Sequence, residues 1–414
     1  MTKRFSLLLS MLMCASLMMA QSGKNTPAIQ VINPSSQSRE SVLITVSPTD
    51  LRKAIGTLKP DQLTVWLNGK EIPSQYNAGP SGEGLYFVID KMEAHQELIF
   101  ALQPISGKRP EYTKRTQAEL SHKTGGQFVN REYAGGSFQN VEYLRVPPEH
   151  KDHSWFIRYE GPGWESDKVG YRFYLDQRNA TDVFGKLTTD MVLQGVGLDG
   201  FDSYHNLQPW GMDVMKVGKS LGLGSIGSLL NGKIERVEKT DSVTCRVTQN
   251  GAVYSSIDTH YLGWKLGENK YSVQSRISIH AGTRLSRQLL RFVSAPDNIS
   301  TGIVKDKAAL MIFNPGSKEK YGYIATWGKQ SLNSDELGLV VFFDPVNFIL
   351  FTEDEFSHVV KLQPKQGTLQ YYFAAAWVKE PGGIQSEEQF KKYIDQVAIE
   401  LAQPVKVKVI KLKK

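Results

Sequence analysis

The sequence predicts an all-β protein: a small immunoglobulin-like sandwich, then large stacked antiparallel sheets, with one helix near the C-terminus. Three observations carry this reading. Short apolar runs split by turn residues recur along most of the chain. None is separated from the next by a helix of crossover length, which argues against a parallel α/β sheet. One stretch near the end has the helical period.

The elements follow in chain order. The opening MTKRFSLLLSMLMCASLMMAQ sets Lys3 and Arg4 before an apolar run from Phe5 to Met19, too short to span a membrane. A signal peptide over residues 1–20 is expected, and with it a periplasmic or secreted protein. Met11-Leu12-Met13 is a poor run-up to a lipidated Cys14, so no lipoprotein anchor is expected. No later stretch is apolar enough for a span.

Residues 28–103 carry AIQVIN, SVLITVS, LTVWLNG, GLYFVID and ELIFALQ, the spacing of an immunoglobulin-like sandwich without its Cys-Trp-Cys signature. Asn68-Gly69 is a two-residue hairpin turn. Residues 104–126 are polar and Lys-rich and read as a linker. Residues 127–414 read as one large unit. Its strands run from SWFIRYE and KVGYRFYLD to LQYYFAAAWV, too many for a simple sandwich. Ser386 and Gln389 form a capping box, and Phe390, Tyr393, Ile394, Val397 and Leu401 line one helix face. In the tail PVKVKVIKLKK, Val and Lys alternate as in a strand with a solvated edge, not a nucleic-acid arm.

The net charge of +7 suits an acidic ligand without requiring one. Cys245 alone remains after leader cleavage, so neither a disulfide nor a cysteine metal site is expected. No metal or cofactor is predicted. Gly222-Leu-Gly224-Ser-Ile-Gly227 imitates a dinucleotide fingerprint but lacks the strand before it and the helix after it.

Three constellations bear chemistry. In EGPGWESDKVGYRFYLDQRN, residues 160–179, the period of two puts Val169, Tyr171, Phe173 and Leu175 on an apolar face. Arg172, Tyr174, Asp176 and Arg178 fall on the other. If SWFIRYE is a neighbouring strand, Phe156, Arg158 and Glu160 share a face with them. Such a layer is either a salt-bridged solvated sheet or a ligand face, since Arg forks bind carboxylates and Tyr stacks on sugar rings. The second is the glycine-rich connection 193–233, with Tyr204, His205, Trp210 and Lys216. Long connections of this kind are functional or disordered, and the aromatics argue against disorder, which leaves a functional loop or a packed cover over a sheet edge. Tyr204 and His205 are proton-transfer candidates, Trp210 a sugar platform and Lys216 a charge neutraliser. The third, residues 257–291, carries Tyr261, Trp264, Arg276 and His280. Tyr261 and His280 are further catalytic candidates, and Trp264 a further binding one.

The runs EGPGWESDKVGYRFYLDQRNATDVFGK and WGMDVMKVGKSLGLGS resemble a family of exported Bacteroidetes proteins of unassigned activity, over roughly residues 28–402. The resemblance implies a setting of pectin and uronate polysaccharide degradation and supplies no catalytic residue. The layout is similar to the β-supersandwich of polysaccharide lyases and sugar mutarotases. The expectation is a lyase cleaving uronic acid-containing oligosaccharides by β-elimination. Arg172, Arg178 or Lys216 would neutralise the carboxylate, and Tyr204, His205, Tyr261 or His280 would move protons. A glycoside hydrolase using Glu165, Asp167, Asp176 or Asp182 is the alternative enzyme, a sugar epimerase another. A non-catalytic glycan-binding protein is the alternative of a different class. The expected partner is an acidic oligosaccharide or polysaccharide, with no nucleic acid and no protein partner.

Overall fold

The computed structural model describes residues 26–412 apart from 57, 80, 81 and 201. The leader expected over residues 1–20 lies outside the described residues. The described strand ladders are antiparallel, and the protein is all-β. No described helix is long and apolar enough to cross a membrane.

Near the N-terminus two sheets enclose one apolar cluster that includes Ile29, Val31, Ile44, Val65, Phe87 and Phe100. Asn68 and Gly69 both take positive φ, 51° and 78°, as a tight hairpin turn requires. A helix missing from the sequence reading, Pro48–Ile55, packs Leu51 and Ile55 into this cluster. Ser47 caps it by accepting from the Asp50 amide. The C-terminal strand Lys406–Leu412 pairs with Thr26–Ile32. It therefore joins this sheet rather than the large unit expected over 127–414, because Val405, Val407 and Val409 pack on the N-terminal cluster. The linker expected over 104–126 is also corrected. Thr116–Glu119 and Ser121–Val129 are strands, and Ala118 and Leu120 enter the main core.

Among the described residues the rest of the chain builds three large sheets around that core and a two-stranded hairpin, Ser121–Val129 with Glu132–Asn140. The largest runs from Tyr143–Arg145 to Ala309–Asn314, with Tyr254–Leu266 and Asn269–His280 among its strands. Ile257, Tyr261, Ile277, Leu290 and Phe373 point inward from it. The helix Glu387–Ala402 lies against the sheet's other face through Phe390, Ile394 and Ala398. Ser386 caps it by accepting from the Gln389 amide.

The sheet that positions the candidate site has the order Gly211–Asp213, Thr181–Lys186, Val169–Phe173, Gly163–Ser166, Thr116–Glu119. Trp164, Tyr171, Val183 and Met212 face the main core. The alternate residues Glu119, Glu165, Arg172, Asp182, Phe184, Lys186 and Asp213 fall on the opposite face. That face is not open to water, since every one of these side chains is buried.

Candidate functional site

SWFIRYE is not a strand. Residues 158–160 form a short 3-10 turn, and the segment before it is irregular. His153, Trp155, Tyr159 and Glu160 have φ of 58°, 59°, 35° and 73°, and Asn179 across from them 43°. Left-handed backbone at non-glycine residues costs about 1–3 kcal/mol each and gathers where function needs it. The turn lies directly on the site sheet, since a Cβ on Gly161 would stand 1.7 Å from the Phe173 carbonyl oxygen. This explains the glycine after Glu160. Glu160 still reaches the position the strand reading gave it.

Arg172 is the hub. It is 2% exposed. Nη2 donates to Asp182 Oδ2 at 2.7 Å and also to Asp213 Oδ2. Nη1 donates to the Tyr204 hydroxyl at 2.9 Å and lies 3.8 Å from Glu160 Oε2. The Tyr174 hydroxyl donates to Asp182 Oδ2 at 2.5 Å. Two guanidiniums approach the Tyr174 ring, Arg178 at 3.9 Å and Arg172 at 5.0 Å from its centroid. Arg178 in turn binds Asp152 Oδ1 at 2.8 Å, Glu160 Oε1 at 2.7 Å and Asp176 Oδ1 at 3.0 Å. Five carboxylates thus surround two guanidiniums.

This excess of negative charge separates the acids. Burial pushes Asp182 up to about 7, and the neighbouring Asp213 adds to this against the pull of Arg172. Burial acts the same way on Glu160, but Arg172 and Arg178 outweigh it and hold Glu160 at about 2. Burial raises the Tyr204 hydroxyl to about 12 despite Arg172. The Tyr204 hydroxyl is therefore protonated across the ordinary pH range.

The site meets solvent through a few groups. His205 is 40% exposed, and its Nε2 lies 3.4 Å from Asp213 Oδ2. Glu160 is 12% exposed. His150, which the sequence reading missed, is buried beneath Glu160, with Nδ1 2.8 Å from Ser154 Oγ and Nε2 3.3 Å from the Glu160 carbonyl oxygen. Asp152 was also missed. Asp152, His153 and Glu160 bring three potential metal-ligand atoms within 4.8 Å of one another. Arg178 already neutralises both carboxylates of that group.

The glycine-rich connection divides in two. Residues 211–228 are mostly packed in the interior, where Gly224 faces Phe373. Residues 193–210 cover the charged face, and Tyr159, Phe184, Leu193, Val196 and Tyr204 form a separate apolar cluster there. Glu165 and Lys186, both fully buried, pair at 2.7 Å. Glu165 also accepts from the Val192 and Leu193 amides, which pins the start of this cover. A cleft of about 180 Å³ opens in it, lined by Gly197, Asp199, Ser203, Tyr204, Gln208 and Trp210 among others. Trp210 is half-buried and stands edge-on to Phe184 at 5.8 Å. Tyr204 lies between this cleft and Arg172.

Arg172, Tyr174, Asp176, Arg178, Tyr204 and His205 therefore converge, with Trp210 beside them. Four predicted residues do not join them. Tyr261 and Trp264 are buried in the main core because their strand turns them inward. The Tyr261 hydroxyl meets Asn179 at 3.5 Å, and Trp264 Nε1 donates to the Arg236 carbonyl oxygen. His280 ends the strand Asn269–His280 of the largest sheet, near Asp167 and Arg115, and burial lowers it to about 4. Lys216 is exposed beyond the end of Gly211–Asp213 and does not line the cleft. The hydrolase alternatives Glu165 and Asp167 are held by Lys186 and Arg115.

Among solved structures, the chain is similar to a protein in glycosyl hydrolase family 38 from Enterococcus faecalis. Identity is 9% and the TM-score 0.46, over 94% of this chain and 48% of that one. It is similar to an alpha-mannosidase from Enterococcus faecalis V583, with 10% identity and a TM-score of 0.47, over 93% of this chain and 46% of that one. The chain thus spans about half the length of both proteins. No curated protein matches it in sequence. Residues 31–407 match the family described as Domain of unknown function (DUF4861), and the chain belongs to that family.

Proposed function

We propose that the protein is a carbohydrate-active hydrolase whose neutral glycan occupies the Trp210 cleft and extends past its lining to the partly exposed Glu160 and His205, which neighbour Arg172 and Tyr204. One observation carries the choice of chemistry: Arg172 and Arg178 are each already occupied by carboxylates of the chain itself. β-Elimination on a uronate needs a cation free to neutralise the sugar carboxylate. An acidic sugar here would meet Glu160, Asp152 and Asp199 instead. Hydrolysis needs a carboxylate beside the anomeric carbon and a group that protonates the leaving oxygen. Glu160, ionised and partly exposed, fits the first role. His205, oriented by the buried Asp213, fits the second. Water supplies the hydroxyl to the anomeric carbon, and its proton restores His205. The leader expected over residues 1–20 puts this activity outside the cytoplasm as part of the same proposal.

A second reading, a non-catalytic glycan-binding protein, is favoured by the near-complete burial of Arg172 and Asp182. Incubation with a panel of neutral and uronate-containing polysaccharides separates the readings. Hydrolysis gives new reducing ends without the ultraviolet absorbance of an unsaturated uronate. Glu160→Gln should lower that rate about 100-fold or more. Absorbance from the uronate substrates would restore the lyase and sink the hydrolase. Binding without any product would support the second reading.

A further inference from the structure

The outer face of the largest sheet is covered only in part. The helix Glu387–Ala402 packs on Tyr323, Phe342 and Ala374. At the start of Tyr254–Leu266 the N-terminal sandwich stacks Tyr86 on Tyr254, with ring centroids 4.5 Å apart. Elsewhere the face is open. Leu144, Cys245, Tyr261, Val273 and Leu290 point into the main core, so their neighbours Arg145, Arg246, His260, Gln274 and Arg291 point outward.

The strand register aligns these groups. Arg145, Thr244, His260, Gln274 and Arg291 stand on one rung across five strands. Four spacings of about 4.8 Å put its two arginines about 19 Å apart. Tyr143, Arg246, Asp258 and Arg276 stand on the adjoining rung. Arg246 is thus a diagonal neighbour of Arg145, about 7–8 Å away along the backbone and within reach of a long side chain. Its guanidinium lies 4.7 Å from the centroid of the Tyr143 ring, which is 46% exposed.

Asp258 is the one carboxylate on these two rungs, and Arg276 takes both its oxygens at 2.7 Å. Arg145, Arg246 and Arg291 are exposed, with no carboxylate within ion-pair distance among the described residues. This is the reverse of Arg172 and Arg178, which the chain's own carboxylates occupy. Like charges close together on a sheet face destabilise it, so the excess points to an anion from outside. A carboxylate has two oxygens and matches one guanidinium fork. A sulfate ester has three free oxygens and can bridge two arginines on a diagonal. His260 and Gln274, joined at 3.0 Å, lie between the ends of the rung and offer hydrogen bonds to sugar hydroxyls.

We infer that this open face docks a sulfated polysaccharide lying across the strands, one sulfate held by Arg145 and Arg246, a second by Arg291, and hydroxyls between them by His260 and Gln274. The Trp210 cleft belongs to the site sheet across the main core, and the inference does not rest on what that cleft binds.

Calorimetry on the full chain tests it, using dextran, carboxymethyl-dextran and dextran sulfate of matched length, the last two of matched charge, and duplex DNA. Dextran sulfate should bind, more weakly as salt rises, and dextran should not. Arg246→Gln and Arg291→Gln should each weaken dextran sulfate binding about 3-fold and together about 10-fold. Both positions are exposed, so urea unfolding should stay as in wild type. Lys216→Gln removes an exposed cation away from this face and should change nothing. Equal binding of carboxymethyl-dextran or DNA would overturn the inference, as would an equal loss in Lys216→Gln. Wild-type affinity in the double variant, or no binding of dextran sulfate, would overturn it too.

Discussion

Asp182 offers the sharpest stability test. In the folded chain its carboxyl is pushed up to about 7 by burial and then by Asp213, against an ordinary value of 3.8. Between pH 4 and 7 the unfolded chain has lost this proton while the folded chain keeps it. The folded state then binds more protons, so stability falls as pH rises through this window. About three pH units are involved, which amounts to about 4 kcal/mol, fully expressed above pH 7. Because Asp182 and Asp213 share one guanidinium, the titration belongs to the pair. Asp182→Asn keeps the shape and removes the titration. It weakens the bonds from Arg172 and Tyr174 by an amount that does not change with pH. Urea unfolding at a series of pH values from 4 to 8 gives the difference between the two proteins. Wild type should lose about 4 kcal/mol relative to Asp182→Asn across that range. Parallel curves would refute the claim that the pair holds a proton at the hub.

Three other outcomes follow from the same contacts. Glu160, held at about 2 against an ordinary 4.5, contributes roughly 3 kcal/mol that is fully present above pH 4.5. This is lost as pH falls through 2, and Glu160→Gln should show a correspondingly shallower acid-unfolding curve. Glu165→Ala leaves Lys186 buried without its partner and should cost about 3–5 kcal/mol in denaturant unfolding. It also frees the Val192 and Leu193 amides, which hydrogen exchange should show as lost protection at the start of the cleft loop. Gly161→Ala forces a methyl onto the Phe173 carbonyl and should cost about 1–3 kcal/mol by thermal unfolding.

Much of the architecture is legible because strand period and turn chemistry are local. Asn68-Gly69, the Ser386 cap and the Val-Lys tail each behave as their residues dictate. The partner of that tail is not local, and nothing in PVKVKVIKLKK names Thr26–Ile32. The helix Pro48–Ile55 was readable from Ser47-Pro48 and Asp50, but an apolar run on either side obscured it. Within Val169–Phe173 the period of two separates Arg172 from Val169, Tyr171 and Phe173, but the strand ends there and the Tyr174 ring joins the main core; Arg172, Tyr204 and His205 do meet. What the pattern could not supply is burial. A period of two tells which residues share a face, not whether a loop covers it, and here residues 193–210 close the face off. The same limit explains Tyr261 and Trp264, whose polar tips looked functional and serve instead to satisfy core hydrogen bonds. His150, Asp152 and Asp213 became visible as site residues only through contacts made across the fold.

The chain's own carboxylates occupy Arg172 and Arg178 and leave neither for an anionic sugar. Calorimetric titration with a matched pair of oligosaccharides, identical except that one carries uronate in place of neutral rings, tests this directly. The neutral member should bind more tightly at pH 7. Tighter binding of the uronate member, lost in Arg178→Gln, would contradict it.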